Sequence, residues 1–278
     1  MRLVRIGTKG NETPGILKPE GVIRLRRIFP DIPDIGETFF RDGWLDKIMH
    51  IQEPIESVRV RFGCPVSRPS KIICLGKNYP EHAKEGGFEP PKKPLLFSKA
   101  PSSLNGPYDP ILLPSGSGQV DWEVELALVI GKEGKRIKKD AALDYIAGFM
   151  IMNDVSGREA QFSDHQWFRG KSFDTFAPAG PSLVTFDEIQ NPYNLNLKAL
   201  VNGVIMQEGN TSQMVFDIGA IMEFVSRDIT LIPGDIISTG TPSGVGVFRN
   251  PPVFLKEGDV VECIIEGIGS LVNRIAVE

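Results

Sequence analysis

The sequence predicts a β-rich α+β chain, and three observations carry that reading. Short apolar runs recur at period two, most clearly at Val124, Leu126, Leu128 and Ile130. The 29 glycines and 22 prolines make the chain turn-rich, which favours many short strands over long helices. Only a few stretches, such as Asp217 to Ser226, have helical spacing. The 278 residues suffice for one large core, or a core with a small satellite. Hydrophobic content of 41% and charged content of 24% exclude disorder. A net charge of −4 without any Lys/Arg block argues against a nucleic-acid surface. The apolar runs are strand-length and the N-terminus lacks a continuous apolar core, so neither a membrane span nor a signal segment is expected. Cys64, Cys74 and Cys263 are odd in number and far apart, which points to reduced, buried thiols and a cytoplasmic protein.

Taken in order, residues 1–68 read as a small unit of their own. Leu3 to Ile6 and Val22 to Leu25 are expected as strands around an Asn11–Gly15 turn, and Asp42 to Ile51 as one helix. Arg24, Arg26 and Arg27 read as a solvated face. Cys64 to Pro69 marks a boundary, because its prolines interrupt pairing. Lys71 to Gly76 is a short buried strand running into a short helix with Pro80 in its first turn and Gly86 at its end. On that helix His82 and Glu85 share a face. They form either a surface pair or an imidazole made more basic by a carboxylate, as a general base for water requires. The proline-broken segment after it, Phe88 to Pro94, would let the helix move as a lid.

Leu95 to Lys99 is another strand, and Ser115 to Gly118 a flexible turn. The stretch Asp121 to Gly131 is expected as one core strand whose alternation puts Asp121, Glu123 and Glu125 on one face. Carboxylates so arranged repel unless a positive charge sits among them, so the stretch suggests a cation site. Asp140 to Tyr145 is a helical turn with an Asp cap, and Ile146 to Asp154 an apolar strand ending in an acid. Asp154 reads equally as a ligand at the rim of the core or as the cap of a helix over Ser156 to His165. Lys171, hemmed by aromatics, should approach the carboxylates or an anion, or else snorkel to the surface. Asn202-Gly203 marks a hairpin between strands. The turn Gly240 to Gly246 lacks a phosphate-loop ending, but its free N–H groups could hold a carboxylate. Two strands, Val260 to Ile265 and Leu271 to Val277, close the chain.

These features occur together in a recognisable order. Gly76-Lys77-Asn78-Tyr79 is followed by His82 and Glu85, then by Asp121-Trp122-Glu123-Val124-Glu125 and Asn153-Asp154-Val155-Ser156. Gly170-Lys171-Ser172-Phe173-Asp174, Gln207-Glu208-Gly209-Asn210-Thr211 and Thr239 to Gly246 complete it. With these motifs, residues from about 71 onward resemble the fumarylacetoacetate hydrolase family. The resemblance implies a mixed β-sheet roll (69–278) preceded by a small α+β domain (1–68). It implies Glu123, Glu125 and Asp154 as metal ligands, for Mg²⁺ with Mn²⁺ or Ca²⁺ able to substitute. It implies His82 and Glu85 as a water-activating lid dyad and Lys171 as the stabiliser of substrate charge. Arg158 and Gln161 would orient substrate or water, and Thr241, with Gly240 and Tyr79, would bind substrate. Gly157-Arg158-Glu159 departs from the Ala-Arg-Asp of many relatives but keeps the arginine.

The activity so implied is metal-dependent hydrolysis of a carbon–carbon bond in 2,4-diketo acids, acylpyruvate- or fumarylacetoacetate-like. The products would be pyruvate or a related 2-oxo acid and a carboxylic acid. Oxaloacetate decarboxylation, 2-hydroxyhepta-2,4-diene-1,7-dioate isomerisation and 2,4-diketo-3-deoxy-sugar-acid hydrolysis are alternatives on the same site. An inactive metal-binding scaffold is a further one, against which the His82/Glu85 pair and Lys171 speak. By family analogy the protein is a homodimer, with no nucleic-acid or membrane partner.

Overall fold

The structure, a computed structural model, describes residues 1–51, 55, 60–116, 118–189 and 191–278. Ser117, within the expected flexible turn, lies outside them. The fold is β-rich α+β, as the sequence predicts. An eleven-stranded mixed sheet runs in the order Gly21–Arg24, Thr13–Lys18, Arg2–Ile6, Ala177–Val184, Ile146–Asn153, Val124–Ile130, Ile236–Ser238, Ile72–Gly76, Leu95–Lys99. Two short strands, Phe62–Gly63 and Leu104–Asn105, pair beside this path. A second, five-stranded sheet holds the Asn196–Val201/Val204–Asn210 hairpin, Val260–Ile265, Gly269–Val277 and Ile111–Leu113. Most pairs are antiparallel, but Ile236–Ser238 runs parallel to Ile72–Gly76. Among the described residues no helix is long and apolar enough to cross a membrane.

The large sheet is covered on both faces, which explains why the Val124–Ile130 strand is buried at every residue. Its alternation sorts the two sides. Val124, Leu126, Leu128 and Ile130 join a core shared with Leu197, Val261 and Leu271 of the second sheet and with the Ile218–Ser226 helix. Ala127 and Val129, on the face that carries Glu123 and Glu125, join a second core with Phe39, Phe40 and Ile48 of the N-terminal segment. That segment also hydrogen-bonds into the sheet, since Arg2 and Leu3 pair with Val184 and Leu183. The N-terminal strands and those that follow residue 71 thus belong to the same large sheet. All three cysteines are free and buried.

Several local expectations are corrected. Asp42 to Ile51 is not one helix. Gly43 sits at φ +69 and separates Glu37–Arg41 from Trp44–Lys47. Thr13-Pro14-Gly15, read as turn, opens a central strand, with Pro14 opposite Arg5. The acidic stretch is interrupted: Val120–Asp121 pairs with Ser156–Gly157, and the long strand starts only at Val124. Neither Asp140 nor Asp154 caps a helix. The 3-10 turn begins at Lys139 and the Arg158–Ser163 helix follows Gly157, and neither has a side-chain cap.

Two-sided burial predicts that Leu128→Ala, fully buried, destabilises by about 2–5 kcal/mol. Val204→Ala, 59% exposed at the hairpin tip, should stay within about 0.5 kcal/mol. Urea midpoints at equal slope measure both. Similar midpoints would contradict the packing described.

Candidate active site and metal centre

At one end of the large sheet the register pairs Val124 with Asn153, so Glu123 and Asp154 lie side by side just beyond the two strands. Their backbones lock there: Asp154 N–H donates to the Glu123 carbonyl at 2.8 Å, and Glu123 N–H to Asn153 Oδ1 at 3.0 Å. Strand alternation brings Glu125 to the same face. Oxygen atoms of Glu123, Glu125 and Asp154 lie within 4.8 Å of one another, all three residues being buried.

Three cations converge on these acids from different elements. Lys171 Nζ donates to Glu123 Oε2 and Asp154 Oδ2, each at 2.7 Å. It reaches them because the Phe168–Lys171 helix packs closely on its neighbour: a Cβ on Gly170 would lie 2.5 Å from the Gln161 nitrogen. Burial opposes the Lys171 charge, but Asp154 and Glu123 outweigh it and push the ammonium up to about 12. Arg158 Nε donates to Asp121 Oδ1 and its Nη2 to Glu123 Oε1, both at 2.7 Å, while Nη1 donates to Gln161 Oε1 at 2.8 Å. Burial would raise the Glu123 carboxyl, yet Lys171 and Arg158 hold it well below the usual carboxylate range. Lys99, fully buried, donates to Asp154 Oδ1 at 2.6 Å. Burial lowers its pKa by more than Asp154 restores.

Glu125 is the exception. Its Oε2 accepts from Ser238 Oγ at 2.5 Å and from Gly240 N–H at 3.0 Å, but among the described residues no ammonium or guanidinium pairs with it. Burial, and then the neighbouring Asp154 and Glu123, push it well above the usual range. Counted as ionised, Asp121, Glu123, Glu125 and Asp154 outnumber Lys99, Lys171 and Arg158 by one, and the raised Glu125 carboxyl is where a proton or a cation would balance the cluster. All-oxygen donors, converging and short of positive charge, fit a hard divalent cation, which Glu123, Glu125 and Asp154 would hold.

The short helix Pro80–Glu85 forms the opposite wall. His82 Nδ1 and Glu85 Oε1 are 2.8 Å apart, which leaves His82 Nε2 to the cavity. Glu85 Oε2 accepts from Gly244 N–H at 2.8 Å. The Gly240 to Gly246 turn does hold carboxylates, but they are the chain's own: Gly240 N–H serves Glu125 and Gly244 N–H serves Glu85. Gly244 must be glycine, since its φ is +104 and a Cβ would lie 2.1 Å from the Met206 carbonyl oxygen.

These groups line a cavity of about 260 Å³. Of the residues singled out in the sequence, His82, Glu123, Glu125, Arg158, Gln161, Lys171 and Thr241 line it. Asp154 and Glu85 stand behind that wall. Tyr79 is 1% exposed and, like Gly240, lies outside the lining; its hydroxyl has no partner among the described residues. Thr241 Oγ1 donates to the Val124 carbonyl and accepts from Gln207 Nε2, so its hydroxyl is committed to holding the loop. Lys99 and Ser238 escaped the sequence reading; both end apolar strands, and nothing local marks them as partners of Asp154 and Glu125. The aromatic residues Phe88, Phe97, Phe162 and Phe248 escaped it too, and with Trp167 they form the aromatic wall.

A family model described as fumarylacetoacetate (FAA) hydrolase C-terminal matches residues 71–276. Over 263 residues the chain is 47% identical to the mitochondrial oxaloacetate tautomerase FAHD2A of Homo sapiens, covering 92% of this chain and 84% of that protein. Among solved structures, a fumarylacetoacetate hydrolase from psychrophilic Exiguobacterium antarcticum aligns at TM-score 0.83 and 36% identity, covering 100% of both chains. A 2-hydroxyhepta-2,4-diene-1,7-dioate isomerase from Mycobacterium marinum aligns at TM-score 0.77 and 36% identity, covering 100% of this chain and 99% of that one. With the family pattern running from the strand before the Pro80–Glu85 helix almost to the C-terminus, the chain belongs to the fumarylacetoacetate hydrolase family.

Proposed function

We propose that this enzyme interconverts the enol and keto forms of a small 2-oxo acid of the oxaloacetate type, with Mg²⁺ as its resident cation. The observation that carries the reading is the placement of His82: oriented by Glu85 at 2.8 Å, it faces a cavity whose far wall is the carboxylate and lysine cluster. Tautomerisation moves a proton between C3 and the C2 oxygen. His82 Nε2 carries that proton, taking it from C3 and delivering it to the C2 oxygen or the reverse, and Glu85 steadies the imidazolium in between. Negative charge that develops on the C2 oxygen faces the Lys171 ammonium. When bound, a divalent cation supplies Lewis-acid polarisation of the 2-oxo group. Arg158 holds Glu123 and Gln161 in place, and the aromatic wall keeps water from competing for the proton. The 47% identity to a named oxaloacetate tautomerase supports this choice of reaction.

Hydrolysis of a carbon–carbon bond in 2,4-diketo acids is the second reading, favoured by the likeness to a fumarylacetoacetate hydrolase over the full chain. The same dyad would deprotonate a water instead of C3. On either reading we take the working form as a cytoplasmic homodimer.

Two outcomes are expected. Mg²⁺ at 100 times its Kd should stabilise the protein by about 2.7 kcal/mol, read as a rise in Tm that chelator reverses. Glu125→Gln should lose most of that rise, and a wild-type Tm indifferent to Mg²⁺ would sink the cation assignment. His82→Ala should slow enol-to-keto conversion of oxaloacetate, followed by enol absorbance, by roughly 10²–10⁴-fold while keeping the Mg²⁺-dependent Tm rise. Undiminished conversion would exclude His82 as the base. Turnover of an acylpyruvate but not of oxaloacetate would favour the hydrolase reading.

A further inference from the structure

One cation in the cavity has no role in the chemistry above. Lys77 follows the Ile72–Gly76 strand and lines the cavity beside His82. Its backbone is left-handed, at φ +58, a conformation that costs a non-glycine residue about 1–3 kcal/mol. The chain therefore turns abruptly there, and the side chain comes over the lid-side segment. Lys77 Nζ sits 3.3 Å from the centre of the Phe88 ring, and Phe88 is itself 48% exposed. Among the described residues no carboxylate pairs with Lys77, whereas Lys99, Lys171 and Arg158 each meet one or two. Burial alone lowers its pKa. An ammonium partly stripped of water, with only an exposed ring for a partner, is arranged to receive an anion from the cavity.

The register says where that anion would stand relative to the carboxylate cluster. Ser238 pairs with Ala127 on one side and Cys74 on the other. Continuing that register two residues past the end of the strand brings Glu125, Gly240 and Gly76 level, and there the Gly240 N–H donates to the Glu125 carboxylate. Lys77 is thus level with the cation ligands but two strands away, roughly 10 Å at ordinary strand spacing. A four-carbon diacid whose 2-oxo acid end met a cation held by Glu123 and Glu125 would extend its other carboxylate into that interval.

We propose that Lys77 binds the distal carboxylate of the substrate and so selects 2-oxo dicarboxylates over 2-oxo monocarboxylates. This rests on the 2-oxo acid reading above. It makes Lys77 a specificity-determining residue, acting on binding more than on the proton transfer.

The test compares oxaloacetate with pyruvate, which share the 2-oxo acid end and differ in the distal carboxylate. Affinities of Mg²⁺-loaded protein are read by thermal shift for the wild type, Lys77→Met and Lys77→Arg. The wild type should bind oxaloacetate about 10- to 100-fold more tightly than pyruvate, the range of one charged hydrogen bond. Lys77→Met should close that gap with pyruvate affinity unchanged, and Lys77→Arg should keep most of it. In turnover, Lys77→Met should raise KM for oxaloacetate and change kcat little. A gap that persists in Lys77→Met, an equal loss for both ligands, or no gap in the wild type would overturn the proposal. Failure of the catalytic reading looks different: the wild type would show the affinity gap but convert neither form of oxaloacetate.

Discussion

Four carboxylates are buried at one end of a sheet, and the elements around them are shaped by the need to offset their charge. A carboxylate taken out of water costs several kcal/mol unless partners replace the lost solvation. The offsets come from separate parts of the chain: Lys99 from the edge strand, Arg158 and Lys171 from the two short helices, and backbone N–H groups from the turn after Ile236–Ser238. In two places a glycine makes the room they need. Gly170 lets its helix approach, and Gly244 lets the turn pass the Met206 carbonyl. Among the described residues the carboxylate without a cationic partner is Glu125, where a proton or a bound cation would balance the cluster.

The same constraint divides the cavity into two kinds of wall. The floor is ionic and largely self-paired: each nitrogen of Arg158 has a partner within the protein, and the Thr241 hydroxyl is used in the loop. The groups left to act on a ligand are therefore few, namely His82 Nε2, the Gln161 amide, Lys171 and Lys77. The other wall is aromatic. Trp167 lies against Gly76, where any Cβ would meet its ring at 2.6 Å.

Much of this was legible in the residues, and what was not has a physical reason. Alternation in Val124 to Ile130 could be read because both faces are buried, and the apolar side repeats strictly at period two. His82 and Glu85 could be read because their contact is local, three residues apart on one helix. Lys99 could not: its partner is 55 residues away, across strands whose order along the sheet leaves no mark in the local sequence. Pro14 and Gly43 misled in opposite ways. A proline stood inside a strand, and a glycine between helix-forming residues took the left-handed conformation that ended the first helix. The Gly240 to Gly246 turn was legible as a binder of carboxylates, but not as a binder of the protein's own.

That turn also ties two ends of the site together. One of its N–H groups grips Glu125 on the floor, and another, four residues on, grips Glu85 on the short helix above. Floor and roof therefore share a hinge made of backbone. A substitution that shifts this turn, such as one at Gly244, would disturb both grips at once.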